Sequence, residues 1–79
     1  MTVDLDENRL LGRADAAKAL TAAGFPVSPA TLATKATRGG GPRYRLFGRR
    51  PLYHWGDALE WARGRLSDPV SNTSEAAAA

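Results

Sequence analysis

Three short helices and one β-hairpin, together a small α+β domain, are what this sequence predicts. Three observations carry that reading. An alanine-rich run spans Arg13 to Ala23 and stops at Gly24. The pair Ser28-Pro29 opens a second apolar-periodic run that ends at Gly39-Gly40-Gly41-Pro42. Two aromatic-bearing runs, residues 43–47 and 51–55, then flank Gly48-Arg49-Arg50. At 79 residues the chain has the length of one domain.

The first helix follows from composition. Arg-Ala-Asp-Ala-Ala-Lys-Ala-Leu-Thr-Ala-Ala has strong helix propensity, with Asp15 in the first turn to complement the helix dipole. Ala17, Leu20 and Ala23 or Gly24 share one face at helical spacing, and Gly12 is left as the N-cap. Gly24 is the stop, and Phe25 and Val27 are the apolar side chains that pin the turn. Ser28 as N-cap with Pro29 at the first helical position is the most specific local signal in the chain. The second helix extends to about Arg38, with Leu32 and Ala36 inward and Thr31, Thr34, Lys35 and Arg38 outward.

The hairpin is expected to have a three-residue loop, Gly48-Arg49-Arg50, with Pro51 on an edge where its missing N–H does no harm. Its inward face is not legible, because Arg43, Tyr44, Arg45, Leu46 and Phe47 do not alternate cleanly. A third helix is expected from Gly56 or Asp57 to about Leu66, offering Leu59, Trp61, Ala62 and Leu66 for burial. Residues 1–9 form a flexible acidic lead-in, residues 10–66 the domain, and residues 67–79 a tail expected to be disordered.

Charge points to the partner. The net charge of +3 hides an asymmetry: Asp4, Asp6 and Glu7 crowd the start, whereas Lys35, Arg38, Arg43, Arg45, Arg49 and Arg50 are uninterrupted by any acidic residue. Nine of the eleven basic residues are arginine, whose planar fork suits phosphate and base edges. A helix feeding a basic hairpin suits a polyanion, and double-stranded DNA is the expected partner. Two helices joined at a glycine-bearing turn form a helix-turn-helix, and a basic β-ribbon follows it. The residues expected to meet DNA are Ser28, Thr31, Thr34, Lys35 and Arg38 on the second helix, with Arg43, Arg45, Arg49 and Arg50 on the hairpin. Arginines at a ribbon tip can reach phosphates or enter a minor groove. Trp55, Trp61 and Tyr53 are assigned to the core, and His54 is given no role.

Other chemistries find little support. The chain has no cysteine and a single histidine, which removes disulfides, thiolate zinc and any multi-histidine metal site within one chain. No cofactor is expected. Neither is a membrane span, so a cytoplasmic, nucleoid-associated protein is the expectation. Tyr44, Tyr53 and the arginines invite comparison with a tyrosine recombinase, but a domain this small has no room for a pocket holding several arginines, a histidine and a nucleophile, and an enzyme is not expected. A module whose basic hairpin meets an acidic protein is the alternative from a different class.

Taken in order, Leu10-Leu11-Gly12-Arg13-Ala14-Asp15-Ala16-Ala17, Val27-Ser28-Pro29-Ala30-Thr31-Leu32, Gly39-Gly40-Gly41-Pro42, Phe47-Gly48-Arg49-Arg50 and Leu52-Tyr53-His54-Trp55-Gly56-Asp57 resemble a known pattern. It is that of the winged helix-turn-helix domain of phage and mobile-element excisionases (recombination directionality factors) and the prophage regulators akin to them, within the MerR-like class. The resemblance covers Leu10 through Leu66. It implies a recognition helix near residues 29–38, a wing near 43–55, and a protein that binds and bends DNA beside a recombination site to direct an integrase towards excision. It further implies side-by-side binding of copies to repeated sites; with a small core and no coiled-coil segment, a monomer that loads head-to-tail on adjacent sites is the expectation. A small transcriptional regulator of a prophage or integrative element is the alternative. The sequence departs from that group at Phe25-Pro26, which lengthens the turn, and at Lys35, where a large apolar residue is frequent.

Overall fold

The computed structural model describes residues 6–67, 69 and 71. Residues 1–5 of the lead-in, and most of the tail expected to be disordered, lie outside the described residues. The element order is β1 (Leu10–Gly12), α1 (Arg13–Ala22), α2 (Pro29–Arg38), β2 (Arg45–Phe47), β3 (Arg50–His54) and α3 (Trp55–Gly64). The fold is α+β, three helices on a three-stranded antiparallel sheet of order β1-β3-β2, an arrangement consistent with a winged helix.

The helix-turn-helix is built from local signals. The α1 end is a Schellman motif: Phe25 N–H donates to Leu20 O at 2.8 Å and Gly24 N–H to Thr21 O at 3.1 Å, with Gly24 at φ +100°. Phe25 and Val27 pack against the core from the turn. Thr21 clasps the same turn, its hydroxyl 2.9 Å from Ala17 O and accepting from Val27 N–H at 3.3 Å. At the next start Ser28 Oγ accepts from Thr31 N–H at 3.1 Å, with Pro29 at the first helical position.

The sheet differs from expectation in three ways. First, Leu10–Gly12 is a strand. It pairs with Leu52–His54 through Leu10↔His54, Leu11↔Tyr53 and Gly12↔Leu52. Second, the hairpin loop has two residues, not three. Phe47 pairs with Arg50, leaving Gly48-Arg49 as the loop. Gly48 at φ +66° followed by a residue with negative φ is the type II′ pattern, whose twist matches that of the strands. Third, Pro51 lies in the central strand. Its pair Leu46↔Pro51 follows the hydrogen-bonded closing pair Phe47↔Arg50, so in the alternating antiparallel ladder its nitrogen faces away from β2. On that side β1 has already ended at Gly12↔Leu52, so no ladder bond is lost.

The third helix starts earlier than expected. Trp55 is its first residue, and the chain before β1 caps it: Trp55 N–H donates to Arg9 O at 2.9 Å and Gly56 N–H to Glu7 O at 2.8 Å. Residues 6–9 of the expected flexible segment are therefore a hydrogen-bonded turn. A Cβ on Gly56 would stand 3.0 Å from Glu7 Cβ and 3.2 Å from Glu7 O, so glycine there lets the residue 6–9 turn sit closely on the start of α3. The helix ends at Gly64, short of Leu66, which is exposed rather than buried.

The core sits where α1, α2, α3 and the inner sheet face meet: Leu11, Ala16, Ala17, Leu20, Leu32, Tyr53, Trp55, Ala58 and Ala62. Small alanines let the helices approach closely, while Leu20, Leu32 and Tyr53 fill the volume. Leu10 turns to the outer face, half exposed, and Leu11 takes the inner one. Leu59 and Trp61 pack at the margin of the core, partly buried.

Candidate nucleic-acid interface

Helix α2 turns about 100° per residue, which sorts its side chains around Leu32, 1% exposed. Thr34 and Thr37 lie on the opposite side and are exposed, as are Ala30 and Arg38. Lys35, three residues beyond Leu32, returns to within roughly 60° of the buried line and is half-buried rather than outward. It shares the wall of a groove with Trp61 and Arg65. The polar hydroxyls are partly committed. Thr34 Oγ1 donates to Ala30 O at 3.0 Å and Thr37 Oγ1 to Ala33 O at 3.2 Å, leaving their lone pairs outward as acceptors. Ser28 Oγ serves its own helix cap and lies 3.0 Å from Thr31 Oγ1.

The wing carries its cations in the open. Arg43, Arg45, Arg49 and Arg50 are all exposed, as is Arg38 at the end of α2. Among the described residues none of these five, nor Lys35, makes an ion pair. Asp57 lines a groove with Arg43 and Arg45, and Glu60 another with Arg43, without pairing with them, so the positive excess is greatest towards Arg49 and Arg50, where it raises the local potential and attracts anions. The structure brings Thr31, Thr34 and Arg38 together on one helix, and Arg45, Arg49 and Arg50 on one hairpin. Arg43 stands in the connection between them, Ser28 caps its own helix, and Lys35 lines the groove beside Trp61 and Arg65.

Two devices hold helix and wing in a fixed relation, and neither is evident in the sequence. Trp61 Nε1 donates to Gly40 O at 2.8 Å, tying the α2–β2 connection to α3. Arg13 Nε donates to Tyr53 Oη at 3.0 Å, its guanidinium 5.9 Å from the ring centres of both Tyr53 and Tyr44. That places a cation across the aromatic pair at the hairpin's base, whose rings are 5.6 Å apart. Thr37 and Arg13 are thus additions to the predicted set. Helical spacing from Thr34 makes Thr37 recoverable, whereas Arg13 meets Tyr53 only through the fold.

Among the described residues no group of three His, Asp or Glu side chains could hold a metal ion, and no helix is long and apolar enough to cross a membrane. Comparison of the chain with protein-family models and with curated proteins finds no match.

Proposed function

We propose that this protein is a sequence-specific, double-stranded-DNA-binding architectural factor that directs site-specific recombination towards excision of a mobile element. One observation carries the DNA-binding part: five exposed, unpaired arginines run from the end of α2 through the hairpin, beside a helix face of short hydroxyl side chains. The excision role rests on the resemblance of residues 10–66 to excisionases. On this reading α2 enters the major groove, presenting Thr31, Thr34, Thr37 and Arg38, while Arg45, Arg49 and Arg50 meet phosphates along the wing. An integrase is the protein partner, and neighbouring copies load head-to-tail on repeated sites. Such contacts are weak in solution and gain weight from the local concentration that DNA supplies. Cytoplasmic, nucleoid-associated localisation follows.

The decisive measurement is the salt dependence of duplex binding, combined with mapping of the site. If about four of the basic side chains neutralise phosphates, the log-log slope is roughly −3.6. Affinity then falls by about two orders of magnitude between ~50 and ~200 mM salt. A slope near zero, with tighter binding to an acidic protein, would instead favour the interaction-module alternative. Protection beside an attachment site supports the excision role; protection over a promoter makes the protein a transcriptional regulator.

A further inference from the structure

Phe47 is the most exposed large apolar residue of the described chain, at 75%, and it stands at the tip of the wing among arginines. Folding does not explain it. It touches no part of the core cluster and leaves Leu46, at 66%, equally outside. Its surroundings are specific. Residues two apart in a strand share a face, and so do directly paired residues across a hairpin. Arg45 therefore lies beside Phe47 along β2, and Arg50 lies beside it across the Phe47↔Arg50 pair. Phe47 is thus flanked by two arginine positions on its own face of the hairpin, while Leu46 lies on the other. The tip is narrow, because the strands are closed by the two-residue Gly48-Arg49 turn.

We propose that Phe47 is a wedge that inserts between base pairs from the minor groove, with Arg45 and Arg50 taking the phosphates on either side of the opened step. The proposal rests on the DNA-binding reading above and adds to it a mechanism of bending and a source of sequence preference. An aromatic ring flanked by cations matches a duplex step, which offers a π-face between two phosphates. A protein partner fits less well. Phe47 and Leu46 together offer well under the ~800 Å² per partner of a stable interface. The edge strand is three residues long with arginine at its start and at the turn, features that discourage strand-to-strand pairing. Pyrimidine–purine steps unstack most readily, so the wedge selects a TA or CA/TG step one wing's reach from the bases that α2 reads.

The test uses the whole chain on duplexes carrying 2-aminopurine at a central TA step, with donor and acceptor dyes at the ends. Wild-type protein is expected to raise 2-aminopurine fluorescence and shorten the end-to-end distance. Phe47→Ala is expected to abolish both, to weaken binding about tenfold, the scale of one aromatic–base contact, and to leave the salt slope unchanged because the arginines remain. Phe47→Leu, a shape that still wedges, is expected to retain most of the bend, and the thermal midpoints of both variants confirm that they fold. Salt-dependent duplex binding with no unstacking, or unstacking that survives Phe47→Ala, overturns the wedge and spares the DNA-binding reading. Absence of salt-dependent duplex binding removes both. Loss of self-association in Phe47→Ala by sedimentation, with unstacking absent in the wild type, assigns the tip to a second copy and overturns the proposal.

Discussion

The helical body and the hairpin tip use the same kinds of residue for opposite ends. In the body Leu20 and Leu32 are 0% and 1% exposed and Tyr53 lies beneath the sheet with its hydroxyl satisfied by Arg13. At the tip Leu46 and Phe47 stand in solvent, held only by ladder bonds and the turn geometry that Gly48 permits. Cations divide the same way: Arg13 is bound by rings and a hydroxyl, whereas Arg49 and Arg50 bind nothing among the described residues. The body thus holds nearly all of the folding energy and the tip nearly all of the uncommitted binding capacity. This separation is what allows a domain with a small core to expose apolar surface without losing its fold.

The most severe way to probe that contrast is to open the body. Leu20→Ala removes a fully buried side chain at the junction of α1 with the inter-helix turn, where it also supports Phe25. Its expected cost is about 2–5 kcal/mol. That equals most of the ~3–5 kcal/mol that a core of this size supplies. Urea unfolding followed by Trp55 and Trp61 fluorescence should show a largely unfolded variant at 25 °C. A cost below about 1 kcal/mol would mean that the energy is not concentrated in this core.

A smaller effect is expected at the seam between the two regions. Trp61→Phe keeps an aromatic ring at the core's margin and deletes the Nε1–H that holds Gly40 O. Losing a neutral hydrogen bond of this kind costs about 0.5–1.5 kcal/mol. Amide exchange across residues 39–43 should quicken more than exchange in α1, since the connection is released while the body stays packed. Uniform acceleration would show that Trp61 acts through the core alone, and the seam would cease to be a distinct element.

How far these regions were legible in sequence follows from the range of the signals. The second helix was legible at both ends, because Ser28-Pro29 and Gly39 act through bonds spanning three or four residues. Strand β1 was not, because Leu10-Leu11-Gly12 becomes a strand only by pairing with Leu52–His54, far along the chain. The early start of α3 escaped for the same reason, its first donors being met by Arg9 and Glu7. The facing of the hairpin depends on that missing strand: once Leu11 is opposite Tyr53, Tyr53 must point inward and Phe47 outward. Of the candidate site, the exposed arginines and Thr34 were readable from charge and period. The half-burial of Lys35 was available from helical arithmetic about Leu32. The fixing of Arg13 by Tyr53 was not, because it joins the two ends of the domain.

The smallest effect on stability belongs to the tip, and it gives the sharpest contrast because the proposed DNA binding predicts a large effect on affinity. In Arg49→Ala with Arg50→Ala, neither side chain has a partner among the described residues, and substitutions at such exposed sites cost within about 0.5 kcal/mol. The turn itself depends on Gly48, which is untouched, and on the Phe47↔Arg50 backbone pair, which alanine preserves. If Arg49 and Arg50 meet phosphates as proposed, their removal should make the log-log salt slope shallower by about 1.8. At low salt, binding should weaken by more than tenfold on every duplex alike, since phosphates carry no sequence information. Thermal melting of the free variant and a salt titration on specific and unrelated duplexes measure both arms. A fall in the melting temperature of more than about 8 °C, which for a domain this small corresponds to more than about 1 kcal/mol, would show that the tip contributes to the fold. The division between a body that folds and a tip that binds would then fail.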